Sequence, residues 1–139
     1  MKNSFLLLLL VLLGCSHQPK TQPVRISLIN SQRSLKFTGL DAAILGEIGR
    51  DSSTAVWQSL LPVYRMPADT DMKDFQHAQP GQYLVNGDAV VFTPDTPFTA
   101  RQSYFVRYYL FGQGNTPIDY LKGHKKPGTQ PYIDLIFKQ

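Results

Sequence analysis

The sequence predicts an all-β domain, an antiparallel β-sandwich of about seven strands, and three observations predict it. Asn86-Gly87 stands between the apolar runs Gln82–Val85 and Ala89–Phe92. That dipeptide is the strongest short-range hairpin signal, because a type I′ turn needs φ > 0 at both central residues. From Ser103 the chain alternates: Tyr104, Val106, Tyr108 and Leu110 on one face, Phe105, Arg107, Tyr109 and Phe111 on the other. Period 2 is the signature of a strand, and the first of these faces is expected to meet the core. Ten prolines and ten glycines in 139 residues, with 12% aromatics, suit short strands joined by many corners.

Taken in order, the chain opens with Lys2 and the uninterrupted apolar run Phe5–Leu13. Nine residues are too few to span a bilayer, which needs about 20 as a helix; a secretory signal is the expected reading. Leu12-Leu13-Gly14-Cys15 resembles the bacterial lipobox, which implies cleavage after Gly14 and acylation of the Cys15 thiol. Residues 1–14 are therefore read as a lipoprotein signal peptide and 15–23 as a lipidated cysteine with its tether. Ser16, where an aspartate would favour retention at the inner membrane, points to the outer membrane in an organism that has one. Ser16–Pro23 is polar with two prolines, and eight residues reach at most about 26 Å. Cys15 is the single cysteine, so the domain from 24 to 139 is expected to hold together by its core without a disulfide.

Val24–Ile29 alternates, with Val24, Ile26 and Leu28 on one face. Asn30–Ser34 reads as a polar turn, and Leu35 and Phe37 point inward from a second strand that Gly39 ends. Asp41–Ile48 is expected as strand or irregular structure, because Gly46 and Gly49 shorten any helical turn capped by Asp41. Thr54–Trp57 and Leu61–Met66 read as strands, Pro62 marking an edge or bulge. Trp57 is expected as a core anchor, and is also the speculative stacking residue for a ligand. Pro67–Gln79 is the longest polar interruption, with a turn or two of helix capped by Asp69 or Thr70. Beyond the turn Gly112–Pro117 and the short apolar stretch Ile118–Leu121, Lys122–Gln130 is a basic loop. Its Lys122, Lys125 and Lys126 are speculative contacts for phosphate, lipid head groups or an acidic partner. Tyr132–Phe137 is the closing strand, Ile133, Leu135 and Phe137 inward and Asp134 outward.

Phe92-Thr93-Pro94, Pro97-Phe98 and Ser103-Tyr104-Phe105-Val106 together resemble the signature of bacterial Ig-like domains of the S-layer-protein type. The resemblance is clear from Gln82 to Tyr109, and Leu35 and Phe37 match its early strand. The family's opening Pro–x–Gly segment is absent, and the domain stands alone where the family forms tandem arrays. The resemblance implies an Ig-like sandwich on a surface or secreted protein. Pro94, Pro97 and Tyr104 are the expected structural corner, the Tyr104 hydroxyl returning to the corner's backbone.

Chemistry is sparse. His77 and His124 have no recognisable catalytic or metal-ligand context, His17 falls in the tether, and G-x-S-x-G, H-E-x-x-H and phosphate-cradling glycine loops do not occur. Asp69-x-Asp71-x-x-Asp74 invites a calcium reading, but the EF-hand spacing fails: Lys73 intervenes, with no glycine or distal glutamate in place. Capping and solvation explain the cluster. The sequence argues against an enzyme, a cofactor and nucleic-acid binding. Net charge is +4, one unit of it carried by Lys2. The expected function is a lipid-anchored cell-envelope module with a protein-binding, adhesion or assembly role. A carbohydrate- or envelope-polymer-binding module is the alternative, ahead of a small hydrolase with an unrecognised site.

Overall fold

The hairpin at Asn86-Gly87 forms, displaced by one position from its expected phase. Asn86 pairs with Ala89, so Gly87 and Asp88 make the two-residue loop. Only Gly87 carries a positive φ, 63°, which matches the glycine-first pattern of type II′ turns rather than type I′. The computed structural model describes residues 23–51, 54–110 and 131–139. The residues read as signal peptide, Cys15 and most of those read as tether lie outside them, as do the residues between Phe111 and Gln130 read as a turn and a basic loop.

Among the described residues the chain runs β1 (Arg25–Ile29), β2 (Ser34–Thr38), α1 (Ala42–Asp51), α2 (Thr54–Leu60) and β3 (Val63–Arg65). A 3₁₀ turn (Thr70–Phe75), β4 (Gly81–Asn86), β5 (Ala89–Pro94), β6 (Ser103–Tyr109) and β7 (Tyr132–Lys138) follow. Two sheets form, with strand orders β1-β2-β5-β4 and β3-β6-β7, and every pairing is antiparallel. Lettered A to G, these orders are ABED and CFG, the arrangement of a seven-stranded Ig sandwich. The fold is an all-β, Ig-like sandwich with two helices set into the connection between its second and third strands.

The core lies between the sheets. Leu35 and Phe37 of β2, Tyr83 of β4, and Val90 and Phe92 of β5 face Val63 of β3 and Tyr104 and Val106 of β6. Burying such a side chain contributes about 1.5–3 kcal/mol. Phe98, in the link from β5 to β6, closes one end, with ring centroids 4.9 Å from Tyr104 and 5.2 Å from Phe137. The Tyr104 hydroxyl accepts the Thr99 amide at 2.9 Å: the expected corner is present, and its tyrosine is structural. That link crosses between the sheets beside Pro94 and Ser103, which defines a far end of the sandwich. The register then puts Arg25, Thr38, Ala89 and Asn86 in one row at the opposite, near end, together with Tyr109 and Tyr132. Pro23, where the described chain begins, is also at the near end.

Two expectations are corrected between β2 and β3. Asp41–Ile48, expected as strand or irregular, belongs to α1. The Asp41 carboxylate accepts the Ala43 amide at 2.7 Å and its carbonyl accepts the Leu45 amide at 3.0 Å, an N-cap that starts the helix despite Gly46. Thr54–Trp57, expected as a strand, opens α2. Trp57, Leu60 and Leu61 recur at helical spacing and are all buried, so the burial available to one face outweighs the β preference of Thr54 and Val56. The Tyr83 hydroxyl donates to the Leu61 carbonyl at 2.8 Å and ties the end of α2 to β4. The strand expected over Leu61–Met66 shortens to β3, with Pro62 just before it; the Pro62 carbonyl accepts the Arg107 amide at 3.1 Å.

Two side-chain expectations change as well. Ile133 is exposed rather than inward, while Leu135 and Phe137 pack on the core. Phe105, on the face expected to be open, has 0% of its surface accessible, because the chain between β3 and β4 folds across it.

Candidate binding face

That connecting chain, residues 66–80, acts as a strap over the outer face of the three-stranded sheet. Its ends are sewn to the sheet by main-chain hydrogen bonds. The Met66 amide donates to the Ser103 carbonyl at 2.9 Å and the Gln79 amide to the Val63 carbonyl at 2.7 Å, and Ala78 forms a bridge with Tyr64. Gln102 adds a side-chain bond to the Met66 carbonyl at 3.0 Å. In the middle, Asp69 caps the 3₁₀ turn by accepting the Asp71 amide at 3.0 Å, as the sequence led us to expect.

Beneath the strap, register sets three rows across the sheet: Tyr64, Phe105 and Ile136, then Arg107 and Asp134, then Tyr109 and Tyr132. Arg107 is only 9% exposed. Its Nε and Nη2 reach the two Asp134 oxygens at 3.0 and 3.1 Å, a bidentate fork of the strong, charge-assisted kind. Nη2 also meets Asp74 of the strap at 2.8 Å. Lys73, the strap's other charge here, reaches Asp134 at 2.7 Å, and its Nζ lies 4.7 Å above the centre of the Phe105 ring. The Arg107 guanidinium sits 3.9 Å from the centre of the Tyr132 ring. Tyr109 packs edge-on against Tyr132 at 6.0 Å.

The two basic and two acidic groups balance. The fork to Asp134 holds Arg107 protonated well above the ordinary range, outweighing its burial. Burial alone would push the Asp134 carboxyl up, but its bonds to Arg107 and Lys73 prevail and hold it below the usual carboxylate range. Burial, then Tyr109, pushes the Tyr64 hydroxyl up.

This tie has an unusual corollary on the strap. Side chains three apart in a 3₁₀ helix eclipse one another. Lys73 points down onto the sheet, and Asp74, with 64% of its side chain exposed, reaches Arg107 from the rim with one oxygen; Met72 and Phe75 are 48% and 72% exposed. The strap is inverted at its centre, with Lys73 against the protein and the large apolar groups Met72 and Phe75 in water. Exposed Ile136, at 62%, stands on the same side of the sheet, in register with the Phe105 under Lys73.

Other predicted site residues fall elsewhere. Trp57 is 1% exposed in the core, which fits the anchor reading and leaves no ring face for a ligand. Cys15, Lys122, Lys125, Lys126 and His124 lie outside the described residues; His77 is exposed at the end of the strap. Asp69 and Asp74 serve the cap and Arg107, and among the described residues no three acidic, histidine or cysteine side chains are grouped to hold a metal ion. Two open hollows, about 300 and 390 Å³, lie at the near end beside Asp88. Met72, Phe75 and the Arg107–Asp134 pair were not singled out from the sequence as a site. The usable signal was the i, i+3 spacing of Met72 and Phe75 around a Lys-Asp pair. Comparison of the chain with known protein families, curated proteins and solved structures gives no match.

Proposed function

We propose that this chain is a lipid-anchored Ig-like module of the cell envelope with a non-catalytic, protein-binding role in adhesion or assembly. The observation that carries the reading is the inverted strap, with Phe75 and Met72 turned to solvent while Lys73 is spent on the sheet and Asp74 ties to Arg107 from the rim. Exposed aromatic and methionine side chains on a rigid support are what a partner's pocket uses as anchors, and the ion pairs below supply the rigidity. Asp69 and Asp71 flank the anchors and are exposed. Their negative charge opposes an anionic membrane surface and suits a protein pocket with a basic rim.

The anchor at Cys15 supplies the address. One acyl chain binds a membrane reversibly and two hold stably, at about 0.8 kcal/mol per buried CH₂. The tether joins the domain at Pro23, so the near end faces the lipid and the strap faces sideways, open to a neighbour in the same membrane. A glycan-binding module is the less favoured reading: Trp57 is buried, and one face of Tyr132 is taken by Arg107.

The test is photocrosslinking in the native cells. A benzophenone amino acid at position 75 is expected to give one discrete envelope-protein adduct. The same group at position 84, an exposed leucine on the other sheet, is expected to give none. Glycan adducts at 75 would favour the polymer-binding reading, and equal labelling from both positions would sink the proposal.

A further inference from the structure

The sandwich has four edge strands, β1 and β4 in one sheet and β3 and β7 in the other. An edge presents unpaired N–H and C=O groups, which proteins usually blunt or cover. The β3 edge is short, and the strap closes it through Ala78 and Gln79. The β7 edge is seven residues long and contains no proline; β1 of the facing sheet passes close to it, but among the described residues no strand other than β6 is hydrogen-bonded to it.

Its hydrogen-bond phase can be read from two bonds that extend the ladder. The Leu110 amide donates to the Pro131 carbonyl at 2.8 Å, and the Gln139 amide to the Gln102 carbonyl at 3.2 Å. Both pairs are in register with the β6–β7 ladder. Bonded pairs in an antiparallel ladder alternate, so Ile133, Leu135 and Phe137 spend their main-chain groups on β6. Those of Tyr132, Asp134, Ile136 and Lys138 point outward. The Arg107 amide, turned to Pro62 on the β3 side, agrees with this phase.

Side chains along the edge define what would fit. Ile133 on the inner side and Ile136 and Tyr132 on the outer side are exposed. The Asp134 charge is already met by Arg107 and Lys73. Lys138 and Arg101, both exposed at the far end, have no ion-pair partner among the described residues. The edge is therefore apolar along its length and positive at the far end.

We propose that the β7 edge binds an extended segment of a partner protein as an added antiparallel strand. That segment carries apolar residues at alternating positions and a carboxylate opposite Lys138. Strand addition takes its affinity from main-chain bonds and its specificity from alternate side chains. The proposal rests on the reading of the domain as an envelope protein-binding module, but uses a surface distinct from the strap. Charge complementarity also selects against a second copy of this chain: a two-fold pair centred on the edge would run β7 antiparallel to itself and set Lys138 opposite Tyr132, which offers it no carboxylate.

The test uses the full lipidated chain in detergent and the acetylated peptide Asp-Val-Ile-Val-Thr-Val-Thr as probe. Amide exchange at Tyr132, Asp134, Ile136 and Lys138 is expected to slow about tenfold or more on saturation with the peptide, by protection in the bound state. Exchange at Ile133, Leu135 and Phe137 is expected to stay unchanged. A peptide N-methylated at the alternate residues that face β7 is expected to have no effect. Lys138→Glu is expected to weaken binding about tenfold, and a peptide with lysine in place of the aspartate to restore it. No slowing overturns the proposal. So does protection of the four amides in the free chain, which would mean that the chain's own segment fills the edge, or protection that grows with protein concentration alone, which would mean a second copy. None of these results alters the crosslinks expected from position 75, so the two readings fail separately.

Discussion

Tyr104 carries the corner at the scale of a single residue. Its ring is buried beside Phe98 and stacked on Phe137, and its hydroxyl satisfies the Thr99 amide. Tyr104→Phe keeps the ring and strands that amide, which costs about 1–2 kcal/mol. The expected result is a lower urea midpoint with an unchanged slope. Asp134 is the second residue whose role can be isolated. Its folded-state carboxyl titrates below the ordinary range, so the unfolded chain binds a proton more readily. The stabilisation it contributes is complete above about pH 4 and is lost as pH falls through the depressed folded-state value. Asp134→Asn is expected to flatten that acid limb while lowering stability at neutral pH, which thermal melts between pH 2 and 7 would read. Tyr104 was legible from the sequence because a corner and the tyrosine after it are local in the chain. Asp134 was read only as an outward residue, because its partner is set by the register of two strands and by a strap from elsewhere.

Among the elements, β2, the β4–β5 hairpin and β6 followed from their sequence because period 2 and turn chemistry act over a few residues. The helices α1 and α2 did not. Gly46 and Gly49 weaken one and Thr54 and Val56 the other, and what makes them helical is the core that receives Leu45, Trp57 and Leu60. Trp57→Ala should therefore cost about 3–5 kcal/mol, enough to unfold the domain at moderate denaturant concentration. The strap is a different kind of element, held by charge and main-chain bonds with few buried apolar groups of its own. Arg107→Leu breaks its central tie and leaves Asp74 and Asp134 short of a partner, at a cost of about 3 kcal/mol. Limited proteolysis is expected to nick that variant between Pro67 and Gln79 while the sandwich stays intact, and crosslinks from position 75 are expected to scatter. The polar composition of Pro67–Gln79 had suggested a turn or two of helix capped by Asp69 or Thr70, which the structure shows, but the exposure of Phe75 only has meaning once the direction of Lys73 is known.

For the whole molecule, the strand order makes the two ends of the sandwich unlike. The chain enters at the near end through Pro23 and leaves at the far end through Gln139, whose amide donates to the Gln102 carbonyl. The anchor proposed at Cys15 predicts that Cys15→Ser moves the protein out of the membrane fraction while its circular dichroism and melting temperature stay unchanged, since no described contact involves Cys15. The same layout has a mechanical consequence. A load applied between Pro23 and Gln139 acts along the strands, so the β1–β2 and β6–β7 ladders are sheared instead of peeled. In shear, the bonds from Arg25–Thr38 to Ile29–Ser34 resist together, and rupture is governed by the height of the unfolding barrier rather than by equilibrium stability. Stretched between Pro23 and Gln139, the domain is loaded along its strands.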